Sequence, residues 1–255
     1  MIRGLYTSGT GMKAQMRRMD VVSNNLANVD TAGYKKDEAV LSSFPDILMT
    51  RINDTRNNIK TPTPMGNVNL GTKIDEIYTN FSQGSFIRTD EKFNVALQGD
   101  GYFTISTPEG ERFTRDGGFV LGPDGRLMTS EGNYVMGQAG IITLGNEFLA
   151  EGGEVFIDDN GRIMVGNNHV DTLRIVAFED NSQLQKIGDN LYQSNANTIP
   201  FNGQVVQGFI ESSNVNPVEA MVDLITVSRA YEANQKIIQV HDALMGKAVN
   251  EVGKV

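Results

Sequence analysis

The 255-residue chain contains no cysteine and no tryptophan. Without cysteine it has no disulfide, no thiolate nucleophile and no cysteine-based metal site, so it fits an oxidising or a reducing compartment equally well. It also lacks any apolar run long enough to span a bilayer. Arg3, Lys13 and Arg17 interrupt the N-terminus, which therefore lacks the apolar core of a secretory signal peptide. If the protein leaves the cytoplasm, we expect an export route that reads no cleaved signal.

Positive charge is scarce as well, because 22 Lys and Arg stand against 31 Asp and Glu, and the formal net charge is −9. A diffuse acidic surface repels nucleic acid and anionic lipid, so neither is expected as the main partner. Apolar residues make up 39% of the chain, which is ordinary for a globular protein and too high for a disordered one.

Glycine is absent from residues 12–32 and 209–245, whereas residues 99–166 hold 15 of the 27 glycines. Since glycine weakens helix interiors and suits turns, this distribution predicts helical ends and a strand-and-turn middle. The predicted fold class is α+β, with a central antiparallel β-rich domain and long N- and C-terminal helices that pair as a coiled-coil-like bundle. We expect four segments: an N-terminal helix in 1–30, an extended connector in 31–72, a β-rich outer domain in 73–206 and a C-terminal helix in 207–255.

The N-terminal zone carries apolar residues mostly three or four apart, which is typical of one side of a helix. They are Leu5, Met12, Met16, Met19, Val22 and Leu26. Methionine supplies three of them, and its unbranched side chain adapts to irregular partners. The stripe fits contacts with other copies of the chain, and it equally fits an ordinary helix packed on its own domain. We expect the helix to end near Asn28.

The C-terminal helix has a clear start signal, because Asn216 suits the cap, Pro217 the first helical position and Glu219 the capping-box position. A seam of residues alternating three and four apart then predicts coiled-coil-like packing. It consists of Leu224, Val227, Tyr231, Asn234, Ile238, His241, Met245, Ala248 and Val252. A second apolar stripe beside the seam makes the apolar face wider than a two-helix contact needs. That stripe is Ala230, Ala233, Ile237, Val240 and Leu244. The polar seam residues Asn234 and His241 are interpreted as register-setting positions, not ligands.

Turn sequences divide the middle of the chain. Thr107–Gly110, Gly122–Gly125 and Asp158–Gly161 predict antiparallel hairpins, and one strand is expected over Val170–Phe178. The third turn begins like a calcium loop, but its twelfth position is His169 where a glutamate is required. A hairpin turn is the better interpretation.

The sequence contains no complete catalytic or cofactor-binding motif. Gly99-Asp100-Gly101 begins like a dinucleotide-binding loop, but Thr104 stands where the third glycine belongs. Arg115 and Asp116 are explained by an ion-paired turn. No Ser/His/Asp order, zinc motif or pair of catalytic acids stands out, so we expect a protein that is not an enzyme and has no cofactor and no metal.

Four runs at the ends of the chain carry a resemblance: Leu5–Met12, Asp20–Lys35, Gln207–Val222 and Ser228–Glu232. They resemble the flagellar basal-body rod and hook family of bacteria. The middle of the chain agrees with that family through Leu97–Phe103 and Phe113–Gly117. Asp30 and Ala32 differ from the asparagine and proline of the family's N-terminal motif, and this difference affects the details of that turn.

The resemblance implies a structural subunit that stacks helically into a hollow drive shaft and transmits torque from motor to hook. It implies terminal helices on the inside and β domains on the outside. The partners implied are copies of the chain, other rod proteins, hook protein, the surrounding basal-body ring proteins and the flagellar type III export apparatus. The location implied is the basal body, in the cell envelope, after export without a cleaved signal.

Within the family, Arg229–Glu232 and Thr114–Gly117 favour the distal segment of the rod, and the proximal segment is the alternative. A cell-wall-active enzyme and a secreted binding module are the alternatives from other classes. Stripe, seam and N-terminal motif together give the expected assembly interface: Leu5, Met12, Met16, Met19, Val22, Leu26, Asn28, Tyr34, Leu224, Val227, Tyr231, Ile238 and Met245.

Overall fold

The structure is a computed structural model. It describes residues 2–51, 55–56, 59–60, 63–144, 155–166, 168–194 and 196–252. The chain forms two compact units, and each is discontinuous in sequence. The first unit comprises Met1–Leu26, Asp37–Tyr78 and Pro217–Val255, and the second comprises Ala27–Lys36 and Thr79–Asn216.

The first unit contains both long helices. Helix α1 is Ile2–Ala27, and helix α2 is Pro217–Lys247, continued by a π-helical turn at Ala248–Val252. The end predicted near Asn28 and the start predicted at Pro217 are confirmed. Neither helix has, within the part of the chain that the structure describes, a stretch long and apolar enough to cross a membrane.

Strands also occur in the first unit, within the segment predicted as an extended connector and just after it. They are β1 (Asp37–Ser43), β2 (Ile47–Arg51), β3 (Thr55–Arg56), β4 (Ile59–Lys60), β5 (Thr63–Val68) and β6 (Thr72–Thr79). β1 pairs with β6, whereas β2–β5 and β3–β4 are nested antiparallel pairs. The described strands of this segment therefore pair with one another or with β6.

The second unit is built from sixteen described strands. They are β7 (Phe86–Arg88), β8 (Val95–Gln98), β9 (Tyr102–Thr107), β10 (Gly110–Thr114), β11 (Phe119–Leu121), β12 (Leu127–Thr129), β13 (Tyr134–Val135), β14 (Val155–Ile157), β15 (Arg162–Val165), β16 (Asn168–Thr172), β17 (Ile175–Phe178), β18 (Gln185–Gly188), β19 (Leu191–Gln193), β20 (Thr198–Pro200), β21 (Gln204–Gln207) and β22 (Phe209–Glu211). A short 3₁₀ turn, Asn181–Gln183, precedes β18.

Nine of these strands form one sheet, in the order β11-β12-β13-β9-β10-β19-β18, with β17 beside β9 and β20 beside β17. β14, β15 and β16 form a second sheet, while β21 pairs with β8 and β22 with β7. The pairings are antiparallel, as the turn spacing predicts. The three predicted hairpin turns are confirmed, because they join β9 to β10, β11 to β12 and β14 to β15. The α+β class with a β-rich domain is therefore confirmed.

The prediction of one strand over Val170–Phe178 is wrong. The chain leaves the three-stranded sheet after Thr172 and enters the nine-stranded sheet at Ile175. Between them the Leu173 N–H donates to the Gly161 carbonyl, and the Leu173 side chain is buried in the core. Alternating apolar residues continued across a change of sheet, so periodicity alone did not reveal the break.

Two apolar clusters form the core of the second unit. The larger one includes Phe103 of the nine-stranded sheet, Ile163 of the three-stranded sheet and residues of β8 and β21. The smaller one groups aromatic rings, with Tyr102 packing against Phe178 and Tyr192. This core supports the strands and turns that hold the site described next.

Candidate functional site

Three charged residues from distant parts of the chain meet inside the second unit. Lys35 ends the N-terminal motif, Arg115 lies in the turn after β10, and Glu211 is the last residue of β22. Their side chains are only 2%, 4% and 1% exposed, respectively. We call Lys35, Arg115 and Glu211 the charged junction.

Glu211 holds both cations of the charged junction. Its Oε1 accepts a hydrogen bond from Lys35 Nζ at 2.5 Å and another from the Gly84 N–H at 2.9 Å. Its Oε2 accepts from Arg115 Nε at 2.6 Å. One carboxylate therefore links segments that lie 176 and 96 residues away in the sequence.

The Arg115 guanidinium also organises the loop between β8 and β9. It donates to the carbonyl oxygens of Leu97 at 2.9 Å and Gly99 at 2.6 Å, and to that of Gly101. A planar guanidinium has several fixed donors, so a single arginine can bind a carboxylate and three carbonyls at once. The glycine-rich run that begins like a nucleotide loop is thus a structural loop wrapped around an arginine.

The predicted ion pair between Arg115 and Asp116 is wrong. The Asp116 carboxylate accepts instead from the Gly118 N–H at 2.9 Å and turns away from its neighbour's charge. Burial raises the pKa of Asp116, since the loss of hydration outweighs that hydrogen bond. Arg115 binds Glu211, 96 residues away, while Asp116 binds the backbone of its own turn.

Burial and pairing act against each other on the charges of the charged junction. Burial alone would raise the pKa of Glu211, but Arg115 and Lys35 together outweigh it and hold that pKa below its usual value. Burial lowers the pKa of Lys35, the charge of Arg115 adds to the lowering, and together they outweigh the raising effect of Glu211. Removing the one carboxylate would leave two buried cations facing each other.

Gly33 brings the backbone of the N-terminal motif directly onto the turn that carries Arg115. Its φ is +68°, and a Cβ there would lie 2.5 Å from the Asp116 nitrogen and 2.6 Å from the Arg115 carbonyl carbon. Its N–H donates to the Glu211 carbonyl at 2.8 Å. Glycine is needed here both for its backbone conformation and for its lack of a side chain.

Tyr34 lies buried beside the charged junction, beneath a lysine from β18. The Lys186 Nζ is 4.4 Å from the centre of the Tyr34 ring and donates to the Lys35 carbonyl at 2.5 Å. The Asn190 amide donates to the Ala32 carbonyl at 2.9 Å. The segment from residue 27 to residue 36 is therefore fixed to the β-rich unit by its backbone as well as by its charge.

The Asn25 side chain, in the first unit, joins the chain just before this segment to Asp37, the residue after it. Its amide group donates to the Asp37 carbonyl at 2.7 Å and accepts from the Asp37 N–H at 2.9 Å. The two bonds resemble a pair of β-ladder bonds and close the chain on either side of residues 26–36. Asn25 is buried and belongs to the Asp20–Lys35 motif. The sequence alone gave no role for this asparagine.

Helices α1 and α2 pack against each other through small residues of α1. A Cβ at Gly4 would lie 2.5 Å from His241 Nε2, and one at Gly11 would lie 3.3 Å from the Asn234 amide. Gly11 lies seven residues after Gly4 in α1, whereas its neighbour Asn234 lies seven residues before His241 in α2. The two helices are therefore antiparallel. Glycine lets the helix backbones approach closely, so the two polar seam residues are in contact with α1.

Most of the residues expected at the assembly interface are at least partly covered within this one chain. Val22, Tyr34 and Val227 are buried, and Met16 is 49% exposed. Half-buried positions are Leu5, Met12, Met19, Leu26, Asn28, Leu224, Tyr231, Ile238 and Met245. Asn216 precedes α2, Pro217 opens it and Glu219 lies in its first turn. That these side chains contact other copies stays a prediction.

The second apolar stripe of α2 has the opposite character. Ile237, Val240 and Leu244 are each about half exposed, and so are Met221, Val222 and Ile225 near the start of the helix. No group of three or more His, Asp or Glu side chains in the described ranges is placed to hold a metal ion. This face of α2 is therefore apolar and exposed within the single chain.

Comparison with known families finds three matches along the chain. Residues 5–35 match the family described as "Flagella basal body rod protein", residues 96–165 the "Flagellar hook protein FlgE/F/G D1 domain", and residues 206–251 the "Flagellar basal body rod FlgEFG protein C-terminal". Lys35, Arg115 and Glu211 each fall in a different matched segment. The charged junction therefore joins all three.

Individual relatives cover the whole length of the chain. A flagellar basal-body rod protein FlgG of Buchnera aphidicola is 35% identical over 97% of this chain and 98% of its own. The flagellar hook-basal body complex protein FlhO of Bacillus subtilis is 31% identical, and the flagellar basal-body rod protein FlgF of Caulobacter vibrioides is 32% identical, both over 100% of each chain.

Proposed function

Since the chain belongs to the flagellar basal-body rod protein family, we propose that it is a subunit of the distal rod. It is a structural protein of the flagellar basal body, and not an enzyme. In the proposal, copies stack helically into a hollow shaft that transmits torque from motor to hook. The observation that carries the proposal is the charged junction, because it fixes both ends of the β-rich unit's chain at one buried point.

Torque requires a subunit whose two ends cannot be pulled out independently. Residues 27–36 and the run from Glu211 to Asn216 are the segments through which the second unit continues into α1 and α2. Lys35 anchors the first of these segments, and Glu211 anchors the second to the same ion cluster. Pulling either segment away would expose a buried charge and leave its partners unpaired, which is costly.

The helices supply the part of the subunit that other copies contact. α1 contacts the seam side of α2, and apolar residues on the other faces of α2, among them the stripe beside the seam, remain exposed. Large apolar surfaces of this kind are typical of protein–protein contacts. In the proposal, helices of neighbouring copies cover it and complete a coiled-coil-like bundle around the central channel.

Assembly with other flagellar components follows from family membership. The specific partners proposed are other rod proteins, hook protein, the rings around the rod and the type III export apparatus. The location proposed is the rod within the cell envelope. Export by that apparatus, without a cleaved signal, is part of the proposal.

The choice of the distal segment is supported by Arg229–Glu232 and Thr114–Gly117, and the proximal segment is the second candidate. Deleting the gene and imaging isolated basal bodies separates them. A distal subunit predicts that a short rod stub remains above the inner ring, and a proximal subunit predicts that the stub is missing or shorter. Basal bodies with a complete rod and hook would contradict both.

A further inference from the structure

The chain contains two Asn-Gly pairs, Asn160-Gly161 and Asn202-Gly203. Asparagine before glycine is the sequence most prone to spontaneous deamidation, because glycine has no side chain to hinder attack by its backbone nitrogen on the asparagine amide. The side chains of both asparagines are exposed. Their reactivity in the folded protein therefore depends on how the glycine that follows each of them is held.

Gly161 is fixed by hydrogen bonds on both sides of its backbone. Its N–H donates to the Asp158 carbonyl at 2.7 Å, and its carbonyl accepts from the Leu173 N–H at 2.8 Å. The residue is buried, and a Cβ there would contact the side chains of Leu173, Ile175 and Val205. A nitrogen that is bonded and packed in this way can attack its neighbour only after the turn opens locally.

Gly203 lies in the loop between β20 and β21 and is held differently. It is exposed, and its N–H makes no hydrogen bond within the described part of the chain. The Asn202 amide likewise has no hydrogen-bond partner among the residues that the structure describes. The attacking nitrogen and the amide carbon are therefore adjacent, solvated and unprotected at this pair.

We infer that Asn202 is a deamidation site of the folded protein. The Gly203 nitrogen gives up its proton to water and bonds to the side-chain carbonyl carbon of Asn202, and the bond from that carbon to the amide nitrogen breaks as ammonia leaves. Water then opens the cyclic succinimide at either carbonyl. One opening gives aspartate, and the other gives isoaspartate, in which the main chain runs through the former side chain. The reaction needs only water and does not depend on the proposed assembly.

The isoaspartate product would strain a crowded part of the second unit. A Cβ at Gly203 would overlap the Gln98 carbonyl oxygen and the Phe201 ring. Gln98 precedes the loop whose Gly99 carbonyl accepts from Arg115 at 2.6 Å. Isoaspartate lengthens the main chain by a methylene at this point and adds a negative charge. We therefore expect the converted chain to unfold at a lower temperature than the fresh chain.

The test compares the two asparagines within the same full chain. Purified protein is kept in mildly alkaline buffer, digested in acid, and analysed by liquid chromatography with mass spectrometry, which separates peptides containing asparagine, aspartate and isoaspartate. Since a hydrogen bond must open before Gly161 can react, we expect Asn202 to convert at least about fivefold faster than Asn160. In urea the fold is lost, and the two rates should approach each other.

The control variant Asn202→Gln keeps Asn160 and removes the reactive pair. Its fresh and aged samples should unfold at the same temperature, whereas aged wild type should unfold at a lower temperature than fresh wild type. The inference is wrong if Asn160 converts as fast as Asn202 in the folded chain, if the same rate ratio persists in urea, or if aspartate forms without isoaspartate. Equal unfolding temperatures of fresh and converted wild type would contradict the expected strain.

Discussion

Arg115 and Glu211 lie 96 residues apart in the sequence, and their side chains meet at 2.6 Å in a site closed to solvent. Lys35 joins them from the N-terminal motif through the other carboxylate oxygen. Each of the three residues belongs to a run that is typical of the rod family. The three runs are therefore parts of one buried contact that organises the second unit and both segments leading to the helices.

Replacing Glu211 by glutamine should be strongly destabilising. Glutamine keeps the shape of the side chain but leaves the Lys35 and Arg115 charges buried without a counter-ion, at a cost of about 3–5 kcal/mol. Urea unfolding followed by tyrosine fluorescence measures this cost, since Tyr102 and Tyr192 lie in the core of the second unit. Glu109→Gln is the matched control, because its pairing with Arg112 at 3.6 Å involves a 77% exposed carboxylate. It should change stability by less than about 0.5 kcal/mol. Equal effects of the two substitutions would contradict the importance of the charged junction.

Acid should weaken the second unit through the same carboxylate. The folded-state pKa of Glu211 lies below its ordinary value of 4.5, so its ionised form stabilises the fold above pH 4.5. That contribution is lost as pH falls from 4.5 through the lowered pKa. Asp116, whose pKa is raised, contributes in the opposite direction in acid, so the comparison must isolate Glu211.

The contribution of Glu211 is isolated by the difference in unfolding free energy between the wild type and Glu211→Gln. We expect it to be constant from pH 7 to about pH 5 and to shrink as the pH falls below 4.5. Both proteins retain Asp116, whose pKa shift has causes other than Glu211, so its contribution largely cancels. A difference that stays constant down to pH 2.5 would show that Glu211 is not held ionised by its partners.

Gly33 offers a test of how tightly the N-terminal motif packs on the Arg115 turn. Alanine there must adopt a φ of +68° and place its Cβ 2.5 Å from a backbone nitrogen. At Gly132 the φ is also positive, at +88°, but nothing lies within 4 Å of the added Cβ. Gly132→Ala should cost about 1–2 kcal/mol from backbone strain alone. Gly33→Ala should cost a further 1–3 kcal/mol or so from the forced contact. Thermal unfolding of both variants measures the difference, and similar melting temperatures would mean that the turn yields easily.

The close approach of the terminal helices can be tested in the same paired manner. A Cβ at Gly4 would already lie 2.5 Å from His241 Nε2, so leucine there would displace His241, whereas a Cβ at Gly9 meets nothing within 4 Å. Both substitutions raise helix propensity by about 0.8–1 kcal/mol, so propensity cannot explain a difference between them. Proteolysis of the soluble chain should cut α2 faster in Gly4→Leu and no faster in Gly9→Leu. Equal protection of the two would mean that the helices do not rely on the contact between Gly4 and His241.

The sequence predicted those features that depend on local chemistry. Pro217 and the residues around it indicated the start of α2, and the three glycine-containing turns indicated hairpins, because each signal acts within a few residues. The charged junction was missed for the opposite reason: no local pattern says that Lys35 and Glu211, 176 residues apart, share a hydrogen bond.

Two interpretations failed because sequence neighbours were given too much weight. The ion pair predicted between Arg115 and adjacent Asp116 does not form, and the strand predicted over Val170–Phe178 is interrupted because the chain changes sheets at Leu173. The methionine stripe of α1 was also incomplete, since Gly4 and Gly11 make the close contacts with α2. Small residues give no signal in an apolar pattern, yet they decide how near two helices can come.

The most direct test of the central claim is an image of the chain in place. A small epitope inserted at Gly132, on an exposed turn of the second unit, should leave the helices and the charged junction untouched. Antibody-labelled basal bodies, isolated from cells in which this chain replaces the wild type, would then be viewed by electron microscopy. Labels at the rod, in motile cells, are the predicted result. Motile cells whose basal bodies carry no label at the rod, with the tagged chain recovered only as soluble monomer, would contradict the account.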